Sequence, residues 1–261
     1  MQKIPEGLID SHFHLLSMQK KEIESIKLLE EMKLLSMTGI DVGVDCDDLK
    51  ERALLTQSYP FIHLSAGIGP WGVGDDNPPI QEQLDTLTSL LDCHTVCAIG
   101  EIGLDNYWKY GTKELQEQLF TCQIDIAQER KLPIIIHNRE ADEQTFQILE
   151  QYSFKKRGIL HCFQGTQELA DLAVKKGFFI SFAGNLTYKN NQKIRDILTS
   201  VPLDHLLLET DSPYLTPVPM RGKPNTPLNM IHIYEMASSL KAISVESLVL
   251  QMQTNFQSFL T

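Results

Sequence analysis

Six side chains in this sequence have the types and positions to hold divalent metal: His12, His14, Glu101, His137, His161 and Asp211. Imidazole nitrogen and carboxylate oxygen bind Zn, Mn, Fe or Mg, and carboxylate-rich sites lean to the harder ions. A carboxylate between two ions can bridge them at a separation of ~3.5–4 Å, and bound metal lowers the pKa of water toward neutrality. Each piece alone is ordinary. An isolated His-x-His is more often a packed pair, a lone histidine after an apolar run is more often a hydrogen-bonded structural residue, and Glu101 or Asp211 alone would serve equally as a cap. The pattern lies in where they recur.

Eight β-rich runs alternate with helical patterns, at 7–13, 42–46, 61–67, 96–101, 133–137, 158–161, 178–183 and 205–209. Several, such as PIIIH and HLLLE, are near-continuous apolar runs, as expected for strands covered on both faces. Leu115, Leu119, Cys122 and Ile126 recur at helical spacing across 113–131 and predict one apolar stripe. Thr166 predicts an N-cap and Gly177 the residue beyond the helix end, and Thr226-Pro227 reads as another helix start. Strands alternating with helices in a chain of 261 residues predict one α/β domain over 1–261, a (β/α)8 TIM barrel, for which ~250 residues is typical. A doubly wound open sheet is the alternative. Its Gly-rich dinucleotide fingerprint is missing after the first strand.

In a TIM barrel the active site lies at the C-terminal strand ends. Runs four, five, six and eight end in a residue able to bind metal, and run one ends in His12-Phe13-His14. On an extended backbone residues i and i+2 face one side, so His12 and His14 can share one ion. His63, His94, His205 and His232 fall within or before elements and are read as structural.

The composition, 42% hydrophobic and 22% charged, suits a globular fold with a full core. No run reaches the ~18 apolar residues of a membrane span, and MQKIPEGLIDSHFH has no apolar signal region, so a cytoplasmic protein without a membrane role is expected. Cys46, Cys93, Cys97, Cys122 and Cys162 show neither disulfide nor zinc-ribbon spacing and are read as reduced. Net charge is −11, which argues against a non-specific grip on long duplex DNA.

The stretches IDSHFHL, AIGEIGLDNYW, LPIIIHNREA, ILHCFQG, ISFAGNLTYKN and VPLDHLLLETDSPYLTPVPMRGKPN span nearly the whole chain. In this order they resemble the TatD family of metal-dependent hydrolases within the amidohydrolase-like superfamily. The resemblance implies a (β/α)8 barrel and a metal-dependent deoxyribonuclease of 3′-to-5′ exonuclease type using two divalent ions (Mg2+, Mn2+ or Zn2+). By the same resemblance His12, His14 and Asp211 hold one ion, His137 and His161 the other, and Glu101 bridges them. Asp211 also manages the proton of the attacking water, while Asp10 and Glu209 hold histidine rings in place. Three departures stand out. Gly69 replaces a family histidine that would face substrate, Leu16 replaces an acidic residue, and the basic loop reads RGKPNTP.

The expected substrate is DNA at single-stranded or frayed ends, with Arg139, Arg221 and Lys223 holding phosphates. The bland alternative makes Arg139 a salt-bridged scaffold residue and the other two solvated loop charges. No obligate protein partner is implied. Two other functions compete. One is ester or amide hydrolysis, for example on aminoacyl-tRNA or a small metabolite. Several such barrel enzymes use a strand-four lysine, where CAIGEIGL has Glu101. The other is a non-catalytic scaffold without metal, which loss of any of the six ligands would favour. All six are present.

Overall fold

The computed structural model describes residues 5–45, 47–108 and 110–261. In chain order the elements are β1 (Ile9–Phe13), α1 (Leu15–Gln19), α2 (Ser25–Leu34), β2 (Thr38–Asp41), α3 (Leu49–Thr56), β3 (Ile62–Ala66) and α4 (Ile80–Cys93). Then come β4 (Ala98–Asp105), α5 (Lys113–Arg130), β5 (Ile134–Arg139), α6 (Asp142–Gln151), β6 (Ile159–Leu160) and α7 (Gln167–Lys175). The chain finishes with β7 (Phe179–Phe182), α8 (Gln192–Ser200), β8 (Leu206–Leu208), α9 (Met230–Lys241) and α10 (Val245–Leu260). The strands form one eight-stranded sheet in the order β1 to β8, with every pairing between neighbours in the chain and parallel. It is the expected TIM barrel. No helix among the described residues is long and apolar enough to cross a membrane.

The barrel closes just beyond the short β8. Asp211 N donates to His12 O and His14 N to Ser212 O, each at 2.9 Å, and Phe13 bridges Ser212 in parallel. The Ser11 hydroxyl reaches across the same seam to Leu208 O at 3.1 Å. The last stitches of the barrel are therefore made by the residues expected to bind metal.

The second strand differs from the sequence expectation. It occupies Thr38–Asp41 rather than 42–46, and Cys46 lies outside the described residues. Composition misleads here because Gly39 looks like a strand breaker. A Cβ on Gly39 would lie 2.4 Å from Asp10 O and 2.7 Å from the Phe13 ring, so close approach of β1 and β2 requires glycine inside the strand.

The stripe of α5 also differs. Leu115 is exposed and Cys122 and Ile126 are half-buried, whereas Gln116, Leu119, Phe120, Gln123, Ile124 and Ala127 face inward. The two glutamines pair with backbone. Gln116 spans the N–H and carbonyl of Asp105, and Gln123 spans those of Ile68. An amide in such a fork satisfies buried main-chain groups that no apolar residue could. The caps of α7 agree with expectation, since the Thr166 hydroxyl accepts from Leu169 N and Gly177 has φ +80°. Thr226 precedes Pro227 in a short 3-10 turn leading into α9.

Candidate metal centre

His12, His14, His137 and His161 converge with Glu101 and Asp211 on one end of the barrel. His12 Nε2 lies 3.1 Å from His14 Nε2, as the i, i+2 spacing predicts. Asp211 Oδ1 stands 3.4 Å from His14 Nε2 and 3.8 Å from His12 Nε2. On the other side Glu101 Oε1 lies 2.7 Å from His137 Nδ1 and 2.9 Å from His161 Nε2. The second oxygen of Glu101, Oε2, faces the first pair, at 3.4 Å from His12 and 3.7 Å from His14. One carboxylate thus turns one oxygen to each histidine pair.

Glu101 and His137 are not at strand ends, as expected, but inside longer strands. β4 and β5 stay paired through Ile102–Ile136, Gly103–His137, Leu104–Asn138 and Asp105–Arg139. The register shifts between Ile99 and Ile102, and Glu101 N donates across to Gly43 O at 3.1 Å. A local bulge of this kind re-aims a side chain toward the mouth. His14 and His161 each follow a strand by one residue, and Asp211 adopts a left-handed φ of +53° after β8.

The outer ring nitrogens explain which atoms point inward. His14 Nδ1 donates to Val42 O at 3.0 Å. His137 Nε2 faces Asp105 Oδ2 at 3.0 Å, and His161 Nδ1 faces Glu209 Oε1 at 3.2 Å. An acceptor on the outer nitrogen places the N–H there and leaves the inner lone pair for a cation. The inward atoms form the groups His12–His14–Asp211 and Glu101–His137–His161, each within 4.8 Å. His12, His161 and Glu209 form a third such group, and His12 Nδ1 and Glu209 Oε2 are buried without a hydrogen-bond partner. A donor set of imidazole nitrogens and carboxylate oxygens, with the outer nitrogens of His14, His137 and His161 already engaged, fits divalent cations.

The electrostatics agree. Burial opposes charge on His14, but its hydrogen bond to Asp211 and the charges of Glu101 and Asp211 raise its pKa to about 9. Burial likewise opposes charge on His161 and His137. Glu101 and Glu209 raise the first well above the ordinary histidine value, and Asp105 and Glu101 raise the second. Burial and the charge of His161 lower His12. Burial pushes Glu101 upward, yet His161 and the surrounding imidazole hydrogen bonds hold it well below the usual carboxylate range.

Glu209 meets a histidine ring, whereas Asp10 accepts from His12 N at 3.3 Å, Thr210 N at 2.9 Å and the Thr210 hydroxyl at 2.6 Å. Asp10 therefore fixes the backbone on both sides of the closing seam. Arg139 follows His137 by two residues in β5. It makes no ion pair among the described residues, and its guanidinium lies 3.9 Å from the Tyr107 ring centre. Arg221 and Lys223 are exposed on the loop after Asp211, with Arg221 stacked 4.2 Å over Tyr188. The other histidines stand apart. His205 donates to Phe178 O, His63 packs on Phe256, His94 ends α4, and His232 faces Glu235.

Sequence reasoning missed Asp105 and Trp71. Asp105 was findable, since residues 101, 103 and 105 of one strand share a face. Trp71 explains Gly69. A Cβ there would lie 2.1–2.4 Å from the indole, whose ring stands 5.9 Å from that of His137. The space beside the site is filled by tryptophan instead of a histidine at position 69.

Comparison with known proteins places this chain in a family. Residues 9–261 match the TatD related DNase family model. Similar proteins include the metal-dependent hydrolase YcfH of Escherichia coli K12, 43% identical over 95% of this chain and 94% of that one. The metal-dependent hydrolase YabD of Bacillus subtilis 168 is 35% identical over 92% and 94%. Among solved structures, the TatD homologue YjjV of Escherichia coli K12 superposes with a TM-score of 0.87 at 24% identity, covering 97% of both chains. The chain belongs to the TatD related DNase family.

Proposed function

We propose that this metal-dependent hydrolase of the TatD family is a deoxyribonuclease. It cleaves phosphodiester bonds from single-stranded or frayed DNA ends in the 3′-to-5′ direction, with two divalent ions (Mg2+, Mn2+ or Zn2+) held by His12, His14, Glu101, His137, His161 and Asp211. The observation carrying this reading is Glu101, whose two oxygens face two separate histidine pairs. Two ions there would supply acidified water and positive charge facing the phosphoryl oxygens.

The protein's own groups do the rest. Asp211 is the more open of the two central carboxylates, with its side chain 14% exposed against 4% for Glu101, so it is placed to take a proton from water at the mouth. Val42 O, Asp105 and Glu209 lock the rings of His14, His137 and His161. Asp10 fixes the seam backbone. Arg139, Arg221 and Lys223 neutralise phosphates flanking the reacting one. With net charge −11, binding is local and its salt dependence shallow.

The test is metal-stripped protein supplied with Mg2+, Mn2+, Zn2+ or Co2+ and assayed on end-labelled single-stranded DNA, RNA and a simple phosphodiester. A closed single-stranded circle is run beside its linear form. Release of nucleotides from linear DNA alone is expected. Equal cleavage of circle and line would end the exonuclease reading. Hydrolysis of carboxylic esters or amides with no DNA cleavage would end the nuclease reading.

A further inference from the structure

Tyr107, Trp108 and Tyr214 stand out on the surface, at 51%, 52% and 50% exposure, in a protein whose other aromatic rings are mostly covered. All three lie in segments tied to the candidate metal centre. Tyr214 lies 6.2 Å from the His14 ring, and Tyr107 and Trp108 follow β4 two and three residues after Asp105.

The Tyr107–Trp108 turn is docked onto the site. Asp105 Oδ1 accepts from the N–H groups of both Tyr107 and Trp108, each at 2.9 Å, while Oδ2 of the same carboxylate faces His137 Nε2. Asn106 N donates to Arg139 O at 2.9 Å, and its side chain bonds Glu140 O and Gln144. The backbone that carries the exposed rings is therefore tied to His137 by a buried carboxylate. The Arg139 guanidinium stands 3.9 Å from the Tyr107 ring centre and 5.8 Å from that of Trp108, with no acidic partner among the described residues.

The two rings stand edge to face, with centroids 5.1 Å apart at 89°, and Arg139 covers one face of Tyr107. We infer that Trp108, braced by Tyr107 and flanked by Arg139, is the stacking platform for a nucleobase of a single-stranded nucleic acid whose backbone phosphate enters the metal centre. This rests on the nuclease reading and names the part of the substrate recognised beyond the phosphate. The combination of groups selects the ligand. An apolar peptide would cover the rings and leave the unpaired guanidinium without a partner. A sugar phosphate would engage the guanidinium and lay C–H groups, not a π-face, on the rings. A nucleotide presents a planar π-face and an anion together. Base–aromatic stacking tolerates any base and is lost when the base is missing. Duplex ends must open before a base can stack here, which gives a physical origin for preferring single strands. Tyr188 under Arg221, at 4.2 Å, repeats the aromatic–arginine pairing on the loop after Asp211.

The test measures binding apart from turnover. Mn2+-loaded protein is titrated with a hydrolysis-resistant phosphorothioate single strand carrying either normal or abasic residues at its end, and affinity is read by anisotropy. Wild type should bind the normal end roughly tenfold more tightly than the abasic one. Trp108→Ala should reduce that ratio to near one, and Trp108→Phe should keep most of it because the ring remains. Equal wild-type affinity for the two ends overturns the platform, as does a ratio unchanged in Trp108→Ala. Failure of the nuclease reading is separate, since it appears as absence of hydrolysis of the ordinary oligonucleotide by the same loaded protein.

Discussion

Lowering the pH from 9 to 7 should weaken metal binding, because the proton on His14 competes with the ion. In the metal-free protein Asp211 and Glu101 overcome burial and hold His14 at about 9, against the ordinary value of 6.5. A metal binds only the neutral ring, so below this pKa each ion entering beside His14 displaces a proton. Two pH units below it, the neutral fraction is down about 100-fold, equivalent to roughly 2.7 kcal/mol at 1.36 kcal/mol per unit. His137 and His161 are raised as well, so the measured slope should reach or exceed tenfold in Kd per pH unit. The same pKa fixes the sign for stability without metal. The contribution of His14 is full below about 6.5 and is lost as pH rises through about 9. Metal-dependent stabilisation runs the other way, growing as pH rises and affinity increases. The assay is calorimetric titration of stripped protein with Mn2+ from pH 6.5 to 9.5, in buffers of different ionisation enthalpy so that released protons are counted. A Kd unchanged within threefold between pH 7 and 9, with no proton release, would refute the charge arrangement.

Three further perturbations have defined outcomes. Asp211→Asn should preserve the fold and lower kcat by roughly 10²–10⁴-fold by removing the proton acceptor at the mouth, and full activity at matched metal content would remove Asp211 from that role. Asp105→Asn cannot accept from both the His137 ring and the Tyr107–Trp108 amides, so metal affinity should fall by about 10- to 100-fold. An unchanged calorimetric Kd in that variant would separate Asp105 from the site. Gly69→His places a side chain in the space of the Trp71 indole and should cost about 1–3 kcal/mol, read as a lower Tm and rescued by adding Trp71→Gly. A wild-type Tm for Gly69→His alone would show that the indole yields freely.

Much of the frame was legible because burial on both faces leaves a strong sequence mark. Runs such as PIIIH and HLLLE have few other readings, and the positions of His137 and Glu209 follow from them. The errors fall where polar or glycine residues do interior work. Gly39 is inside β2 because two backbones meet there, and Gln116 and Gln123 are buried because they clamp main chain. Hydrophobic periodicity scores all three as surface or loop. Asp105 escaped for a related reason, since its partners Tyr107 and Trp108 lie two and three residues ahead while His137 lies on the next strand.

The relation between closure and chemistry was not legible in any window of sequence. The seam joins His12 and His14 to Asp211 and Ser212, about two hundred residues away, and Asp10 bridges it by bonding His12 and Thr210. β8 is only Leu206–Leu208, so these hydrogen bonds rather than a long ladder hold the last strand to the first. Ligand geometry and barrel closure thus draw on the same few groups. An ion held by His12, His14 and Asp211 would tie the two sides of the seam together through side chains, beside the backbone hydrogen bonds. Such an arrangement would let the centre keep its spacing even though His14 and Asp211, like His161, lie outside regular strands.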